Sequence, residues 1–116
     1  MKNKTKNLLI ALLLTLSGCG GVPYSSGDTA ALVLYVGGAY ADFRTTEMVL
    51  NEGGRESNPL IGENPSDGEI ALLQLGGLGI AYTLGEIWPE HRKEIYIIGS
   101  FLHFGAAIHN YSEYRN

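Results

Sequence analysis

The fold is decided by the stretch from Ile70 to Gly85, which reads IALLQLGGLGIAYTLG. Its only clearly polar members are Gln74 and Thr83. A helix on the surface of a soluble protein shows a polar residue every three or four positions on one side, and this stretch does not. A Ser-x-x-Glu capping box precedes it and Pro89 closes it, so the pattern predicts an apolar helix over residues 67–88.

Two further apolar segments flank this one, at residues 29–50 and 94–111. Once a signal peptide is removed, the chain has 98 residues, too few to bury such helices in water. Glycines lie inside each segment, and small residues let helices approach closely in a bilayer. The sequence therefore predicts an all-α fold, a small bundle of three apolar, Gly-rich, transmembrane helices that forms a membrane domain over residues 29–116.

The ends of these helices carry signals of their own. Asp28 is the predicted N-cap of the first helix, because its side chain accepts hydrogen bonds from the free N–H groups of a first turn. The sequence Asn51-Glu52-Gly53-Gly54 predicts its end, since glycine readily adopts the left-handed conformation found after helices. Tyrosines near the helix ends, such as Tyr24 and Tyr96, are expected as anchors at the membrane–water interface.

The N-terminus has the three parts of a secretory signal, namely basic residues, a short apolar run and small residues. They are Lys2, Lys4 and Lys6, then residues 8–16, then Ser17-Gly18-Cys19. The tetrapeptide Leu16-Ser17-Gly18-Cys19 resembles the lipobox of bacterial lipoproteins. That resemblance implies a signal peptide at 1–18, cleavage between Gly18 and Cys19, and a lipidated tether at 19–28. It also implies diacylglyceryl and N-acyl (palmitate) groups on Cys19. The alternative is that Cys19 is an ordinary small residue after a plain signal peptide.

Such an anchor predicts a location in the bacterial cell envelope. Two acyl chains suffice for stable anchoring. Gly20 follows the cysteine, whereas an Asp there is the usual signal for retention in the inner membrane of enteric bacteria. We therefore expect the inner membrane if the helices span it, and otherwise the periplasmic face of the outer membrane.

Charge and cysteine content limit the partners and cofactors. The formal net charge is −4, but residues 19–116 hold 5 basic and 12 acidic side chains, a charge of −7. This leaves no basic surface for nucleic acid. A single Cys excludes an internal disulfide and a cysteine-based zinc site. We expect no metal and no cofactor beyond the lipid. The expected partners are membrane lipid and another envelope protein or a second copy, bound through Gly-rich helix faces.

Several polar residues interrupt the apolar segments. Asp42 and Thr46 lie one turn apart on the first helix, and His103 shares a face with Asn110 on the third. Together with Glu86 of the second helix, they would form a polar cluster inside a bundle. Ionisable groups within a membrane span are costly and usually face the bundle interior. The favoured interpretation is that this cluster fixes helix packing through hydrogen bonds.

The competing hypothesis is a buried site that holds a metal or shuttles a proton. Its candidate catalytic residues are Asp42, Glu56, His103 and His109. The chain has no HExxH or GxSxG motif, which favours a structural role over an enzymatic one.

The loop before the second helix is the most specific stretch. It contains two Asn-Pro turns, Asn58-Pro59 and Asn64-Pro65, which restrict the backbone. Residues 42–46 (Asp-x-x-Thr-Thr), 56–59 (Glu-x-Asn-Pro) and 109–111 (His-Asn-Tyr) together resemble a family of small uncharacterised polytopic membrane proteins from bacteria and their phages. The resemblance implies a three-helix fold and no known activity. It makes Thr46, Asn58, Pro59, Pro65 and Asn110 the structural motif.

These observations predict a lipid-anchored envelope membrane protein with a structural or accessory role. One alternative is an intramembrane enzyme or a proton- or ion-handling protein that uses a polar cluster around Asp42, Glu56 and His109. The other alternative is a phage-derived envelope factor.

Overall fold

The computed structural model describes residues 21–54, 62 and 64–116, and this part of the chain is helical without any strand. Helix α1 comprises Ser26–Asn51, α2 comprises Asp67–Ile87, and α3 comprises Arg92–Arg115. A short 3₁₀ turn at Pro89–His91 joins α2 to α3. The predicted all-α fold with three helices is therefore confirmed. The predicted lipidation site Cys19 and the loop residues Glu56, Asn58 and Pro59 lie outside the described residues.

Helix α1 begins three residues earlier than the predicted residue 29. Its N-cap is Ser25, whose Oγ accepts a hydrogen bond of 3.0 Å from the Asp28 backbone N–H. The Asp28 carboxylate in turn accepts from the Ser25 backbone N–H at 2.9 Å. The prediction that Asp28 is the N-cap is therefore wrong, because Asp28 instead fills the third helical position of a capping box. Residues 26–28 of the predicted tether thus form the first turn of the helix.

Helix α2 follows the sequence prediction closely. The Ser66 hydroxyl accepts from the Glu69 backbone N–H at 3.3 Å, and the Glu69 carboxylate accepts from the Ser66 backbone N–H at 2.7 Å. The helix ends at Ile87, two residues before Pro89, because proline disfavours helical geometry in the residue before it. The capping box at the start of this helix is confirmed.

Helix α3 is longer than the predicted 94–111. The 3₁₀ turn at Pro89–His91 leads directly into it, so that it begins at Arg92. It continues to Arg115 because residues 111–115 contain neither glycine nor proline to stop it. Residues 112–115, beyond the predicted end, thus form a final helical turn.

The three helices form an up-down-up bundle. Helices α1 and α3 run parallel: Gly27 lies near Lys93, Gly38 packs against Phe104, and Asp42 contacts His103. Helix α2 runs antiparallel to both, with Gln74 near Asp42 and its last turn near Tyr96. The α1–α3 contact is the most extensive in the bundle.

The interior of the bundle is small and partly polar. Its core cluster consists of Ala31, Tyr35, Ala81 and Tyr96. Three polar residues are also buried, namely Thr46, Arg92 and Ser100. The expectation that Tyr96 anchors the bundle at the membrane interface is wrong, because Tyr96 is 0% exposed and faces α1.

The exterior carries the large apolar side chains. Those that remain exposed on α1, α2 and α3 include Val33, Leu34, Leu72, Ile80, Phe101, Leu102 and Ile108. Among the described helices, α2 is long and apolar enough to cross a membrane, and 17% of its most apolar 18 residues are buried. Spanning by all three helices stays a prediction.

Candidate functional site

A cluster of polar side chains joins the three helices near the middle of α1, and Asp42 lies at its centre. We call Asp42, Thr46, Gln74, His103 and Asn110 the Asp42 cluster. One carboxylate oxygen of Asp42, Oδ2, lies 2.9 Å from His103 Nδ1 and accepts from Gln74 Nε2 at 3.1 Å. The other oxygen, Oδ1, accepts from Asn110 Nδ2 at 3.3 Å. A single carboxylate therefore connects α1 to α2 and to two turns of α3.

Thr46 completes the cluster from one turn further along α1. Its hydroxyl accepts a 3.0 Å hydrogen bond from Asn110 Nδ2 and donates one of 3.5 Å to Asp42 Oδ1. Thr46 is 5% exposed. The expectation that Asp42 and Thr46 share an interior face with His103 and Asn110 opposite them is confirmed by these contacts.

The imidazole of His103 lies between Asp42 and a tyrosine. Its Nε2 is 3.4 Å from the hydroxyl oxygen of Tyr35, and the two rings meet edge to face with centroids 5.1 Å apart. A carboxylate accepts hydrogen bonds but does not donate them. Asp42 therefore requires the proton of a neutral His103 on Nδ1 and leaves Nε2 as the acceptor for the Tyr35 hydroxyl.

Sequence reasoning did not place Tyr35 and Gln74 in this site, although signals for both exist. Tyr35 precedes Asp42 by seven residues, two helical turns, and therefore lies on the same face of α1. Gln74 is one of two clearly polar residues in the apolar stretch of α2. An isolated amide in such a stretch needs a hydrogen-bonding partner, and Asp42 provides one.

The remaining candidate residues lie elsewhere. His109 is exposed, and its backbone carbonyl accepts from the Ser112 hydroxyl at 2.7 Å. Glu86 binds Arg92 at 3.0 Å instead of joining the Asp42 cluster. Pro65 directly precedes Ser66, the N-cap of α2. The structure thus brings together Asp42 and His103, but not His109, while Glu56 is outside the described residues.

A second polar network, absent from the sequence predictions, surrounds Arg92 where α2 turns into α3. The guanidinium is 1% exposed. Its Nε donates to the Gly85 carbonyl at 3.2 Å, its Nη2 to Glu86 Oε1 at 3.0 Å, and its Nη1 to the Val22 carbonyl at 3.1 Å. Arg92 therefore ties the segment before α1 to the end of α2.

Tyr24 packs over this guanidinium. The Arg92 carbon Cζ lies 4.0 Å from the centroid of the Tyr24 ring, a cation–π geometry. The Tyr24 hydroxyl forms a 2.7 Å hydrogen bond with the hydroxyl of Tyr96. Burial, followed by this hydrogen bond, raises the pKa of the Tyr24 hydroxyl well above its ordinary value. Tyr24 is therefore a neutral packing residue at this end of the bundle.

The Asp42 cluster is a network of hydrogen bonds between side chains of all three helices. In the part of the chain that the structure describes, no group of three His, Cys, Asp or Glu side chains lies close enough together to hold a metal ion. Every buried side-chain nitrogen or oxygen there has a hydrogen-bonding partner. The chain matches no protein-family model, no curated protein and no solved structure.

Proposed function

We propose that the chain is a lipid-anchored membrane protein of the bacterial envelope, with a structural or accessory role. The observation that supports this proposal is the distribution of side chains, with polar groups between the helices and large apolar groups on the outside. Water-soluble proteins rarely expose large contiguous apolar patches, and such patches are typical of membrane or protein contacts.

The apolar exterior extends over more than one helix. Phe101, Leu102 and Ile108 of α3 are 76%, 70% and 72% exposed. Leaving a side chain of this size in water instead of burying it costs about 1.5–3 kcal/mol. A bilayer would remove that cost for all three helices. The same argument applies to Leu72 of α2, which is 71% exposed.

The polar interior supports a structural role. Hydrogen bonds between membrane helices contribute about 0.6 kcal/mol each on average, and the Asp42 cluster has several of them across three helices. Because the Asp42 side chain of α1 is hydrogen-bonded to both α2 and α3, it fixes the axial positions of the three helices relative to one another. A bundle with this internal alignment and a lipid anchor suits a small accessory component of the envelope.

Extraction with alkaline carbonate tests whether the helices enter the membrane. Wild-type protein would stay in the pellet through its lipid alone, so the informative variant has residues 1–19 replaced by a signal peptide that leaves no lipid. We expect this variant to stay in the membrane pellet as well, because its apolar helices remain in the bilayer. Release of the variant into the supernatant would show that the lipid is the sole attachment.

Metabolic labelling with a fatty acid that carries an alkyne tests the lipid anchor. We expect the wild-type protein to be labelled and Cys19→Ala to be unlabelled, because the thiol is the acceptor for the diacylglyceryl group. Ser17→Ala is the matched control, since it keeps a small residue next to the cleavage position and should be labelled like wild type. Equal labelling of Cys19→Ala would contradict lipidation at this residue.

A further inference from the structure

Arg92 holds the segment that leads from Cys19 into α1. Its Nη1 donates hydrogen bonds to the carbonyls of Val22 at 3.1 Å and Pro23 at 3.4 Å, and its guanidinium lies against the ring of Tyr24. Three consecutive residues are thus bound by one side chain that is itself 1% exposed. The segment before α1 is therefore fixed to the bundle as far back as Val22.

Val22 follows Cys19 by only three residues. A chain of three residues spans at most about 11 Å, so the Cα atom of Cys19 lies within that distance of the Cα atom of Val22. The contact with Arg92 therefore determines where on the bundle the proposed lipid begins, namely beside the turn between α2 and α3. Because the head of a lipid anchor lies at the surface of its membrane, this end of the bundle lies at that surface.

The same end of the bundle exposes large apolar side chains. Arg92 ties Val22 to the end of α2, where Ile87 is the last helical residue and Trp88 follows it. Ile80 lies two turns before Ile87 on the same face of α2. The four apolar side chains are between 50% and 66% exposed. We call Val22, Ile80, Ile87 and Trp88 the α2-end patch.

We propose that the α2-end patch binds the acyl chains carried by Cys19, so that the lipid and the bundle enter the membrane as one unit. The proposal rests on the lipid anchor proposed above. Its occupant is the protein's own lipid, because the short connection to Val22 gives these acyl chains a high effective concentration at the patch. A phospholipid of the membrane has the same chemistry without that connection.

The length of the patch suits an acyl chain that starts at the membrane surface. One leaflet makes up half of a hydrocarbon core of about 30 Å, so its acyl chains reach a depth of about 15 Å. Ile80 and Ile87 are about 10 Å apart along the helix axis. A Cβ atom at Gly79 would meet no atom within 4 Å, so the backbone beside Ile80 is open to a lipid chain. An acyl chain can therefore follow α2 from Ile87 to Ile80 within its own leaflet.

Photo-crosslinking of the full-length protein in bacterial membranes tests this contact. Cells receive a fatty acid that carries a diazirine and an alkyne, and their membranes are irradiated before the protein is purified and digested with trypsin. The sequence places all of α2 in one tryptic peptide, residues 56–92. We expect the acyl chain on the Cys19 peptide to be joined to this peptide, with the new bond between Ile80 and Trp88.

The masses of the products separate the protein's own lipid from its neighbours. Adducts of phospholipid alone on residues 80–88 would overturn the proposal, because a phospholipid would then occupy the patch. Bonds from the Cys19 acyl chains mainly to residues 94–115 would overturn it as well, since the lipid would then lie on α3. A Cys19 without lipid would overturn the anchor and this proposal together, whereas a lipidated Cys19 that forms no bond to residues 80–88 would overturn this proposal alone.

Insertion of ten Gly and Ser residues between Gly20 and Gly21 tests the short connection and leaves the contacts of Arg92 in place. It lengthens the chain from Cys19 to Val22 from three residues to thirteen. Effective concentration falls roughly as the −3/2 power of length, so we expect at least about a fivefold loss of crosslinks to residues 80–88. The same ten residues added after Asn116 are the control, for which we expect less than about a twofold change. Equal yields from the two variants would overturn the proposal.

Discussion

Replacement of Arg92 by methionine is expected to lower the free energy of unfolding by about 3–5 kcal/mol, the usual cost of breaking a buried ion pair by removing one partner. Methionine retains most of the apolar length of the side chain, so the loss comes from the guanidinium. Glu86 would lose its 3.0 Å ion pair. The carbonyls of Val22 and Gly85 would lose the donor that now lies at 3.1 and 3.2 Å.

Thermal unfolding followed by circular dichroism in detergent micelles measures this effect, and Arg44→Met is the control. Arg44 also forms an ion pair, at 3.1 Å from Glu47, but its side chain is 58% exposed. Exposed pairs of this kind contribute between zero and about 1 kcal/mol. We therefore expect Arg44→Met to unfold close to the wild-type temperature. A loss in Arg92→Met as small as the loss in Arg44→Met would mean that the Arg92 contacts do not stabilise the fold.

Replacement of Gly99 by alanine is expected to lower the free energy of unfolding by about 1–3 kcal/mol, the typical cost of overpacking a core. A Cβ atom at Gly99 would overlap the Cδ2 and Cε2 atoms of the Tyr35 ring. Tyr35 is 4% exposed and packs edge-on against Tyr96, so it has little room to move. The contact between Tyr35 of α1 and Gly99 of α3 would therefore have to open.

Gly105→Ala is the matched control in the same helix. A Cβ atom there would meet no atom within 4 Å, and alanine favours a helix over glycine by up to about 1 kcal/mol. We expect Gly105→Ala to unfold at or above the wild-type temperature, whereas Gly99→Ala unfolds below it. A drop of equal size in both variants would mean that the contact with Tyr35 is not the cause of the loss.

Local signals in the sequence were sufficient to predict where α2 begins and ends. The Ser66 and Glu69 capping box and Pro89 determine its ends through contacts between residues a few positions apart. The start of α1 was harder to predict, because Ser25 and Asp28 are both good N-caps. The docking of Tyr24 against Arg92 holds the preceding segment at the bundle end, and that contact joins residues far apart in sequence.

Part of the Asp42 cluster was also predictable. Helical spacing puts Asp42 and Thr46 on one face of α1, and it puts His103 and Asn110 on one face of α3. These two pairs come into contact when the two faces pack together. The prediction that Glu86 of α2 would join them is wrong, because Gln74 contacts Asp42 instead and Glu86 binds Arg92. Gln74 and Glu86 are twelve positions apart, about 18 Å along a helix, and the axial position of α2 in the folded bundle selects Gln74.

The burial of Arg92 could not have been predicted from the residues next to it in the sequence. Arg92 stands beside Lys93 and Glu94 after a turn, a pattern typical of a solvent-exposed helix start. Its burial requires acceptors from Val22, Gly85 and Glu86. The first of these is 70 residues away in sequence, so the folded structure alone brings them together.

The parallel arrangement of α1 and α3 also determines the order in which the interior can be completed. Asp42 receives hydrogen bonds from His103 and Asn110, which follow it by 61 and 68 residues. During synthesis, α1 is therefore made well before these two partners, and Gln74 of α2 is the first donor from another helix to become available. Contacts of such long sequence separation form late and slow folding. Helix α3, which is made after α1 and α2, thus completes the hydrogen bonds of the Asp42 carboxylate.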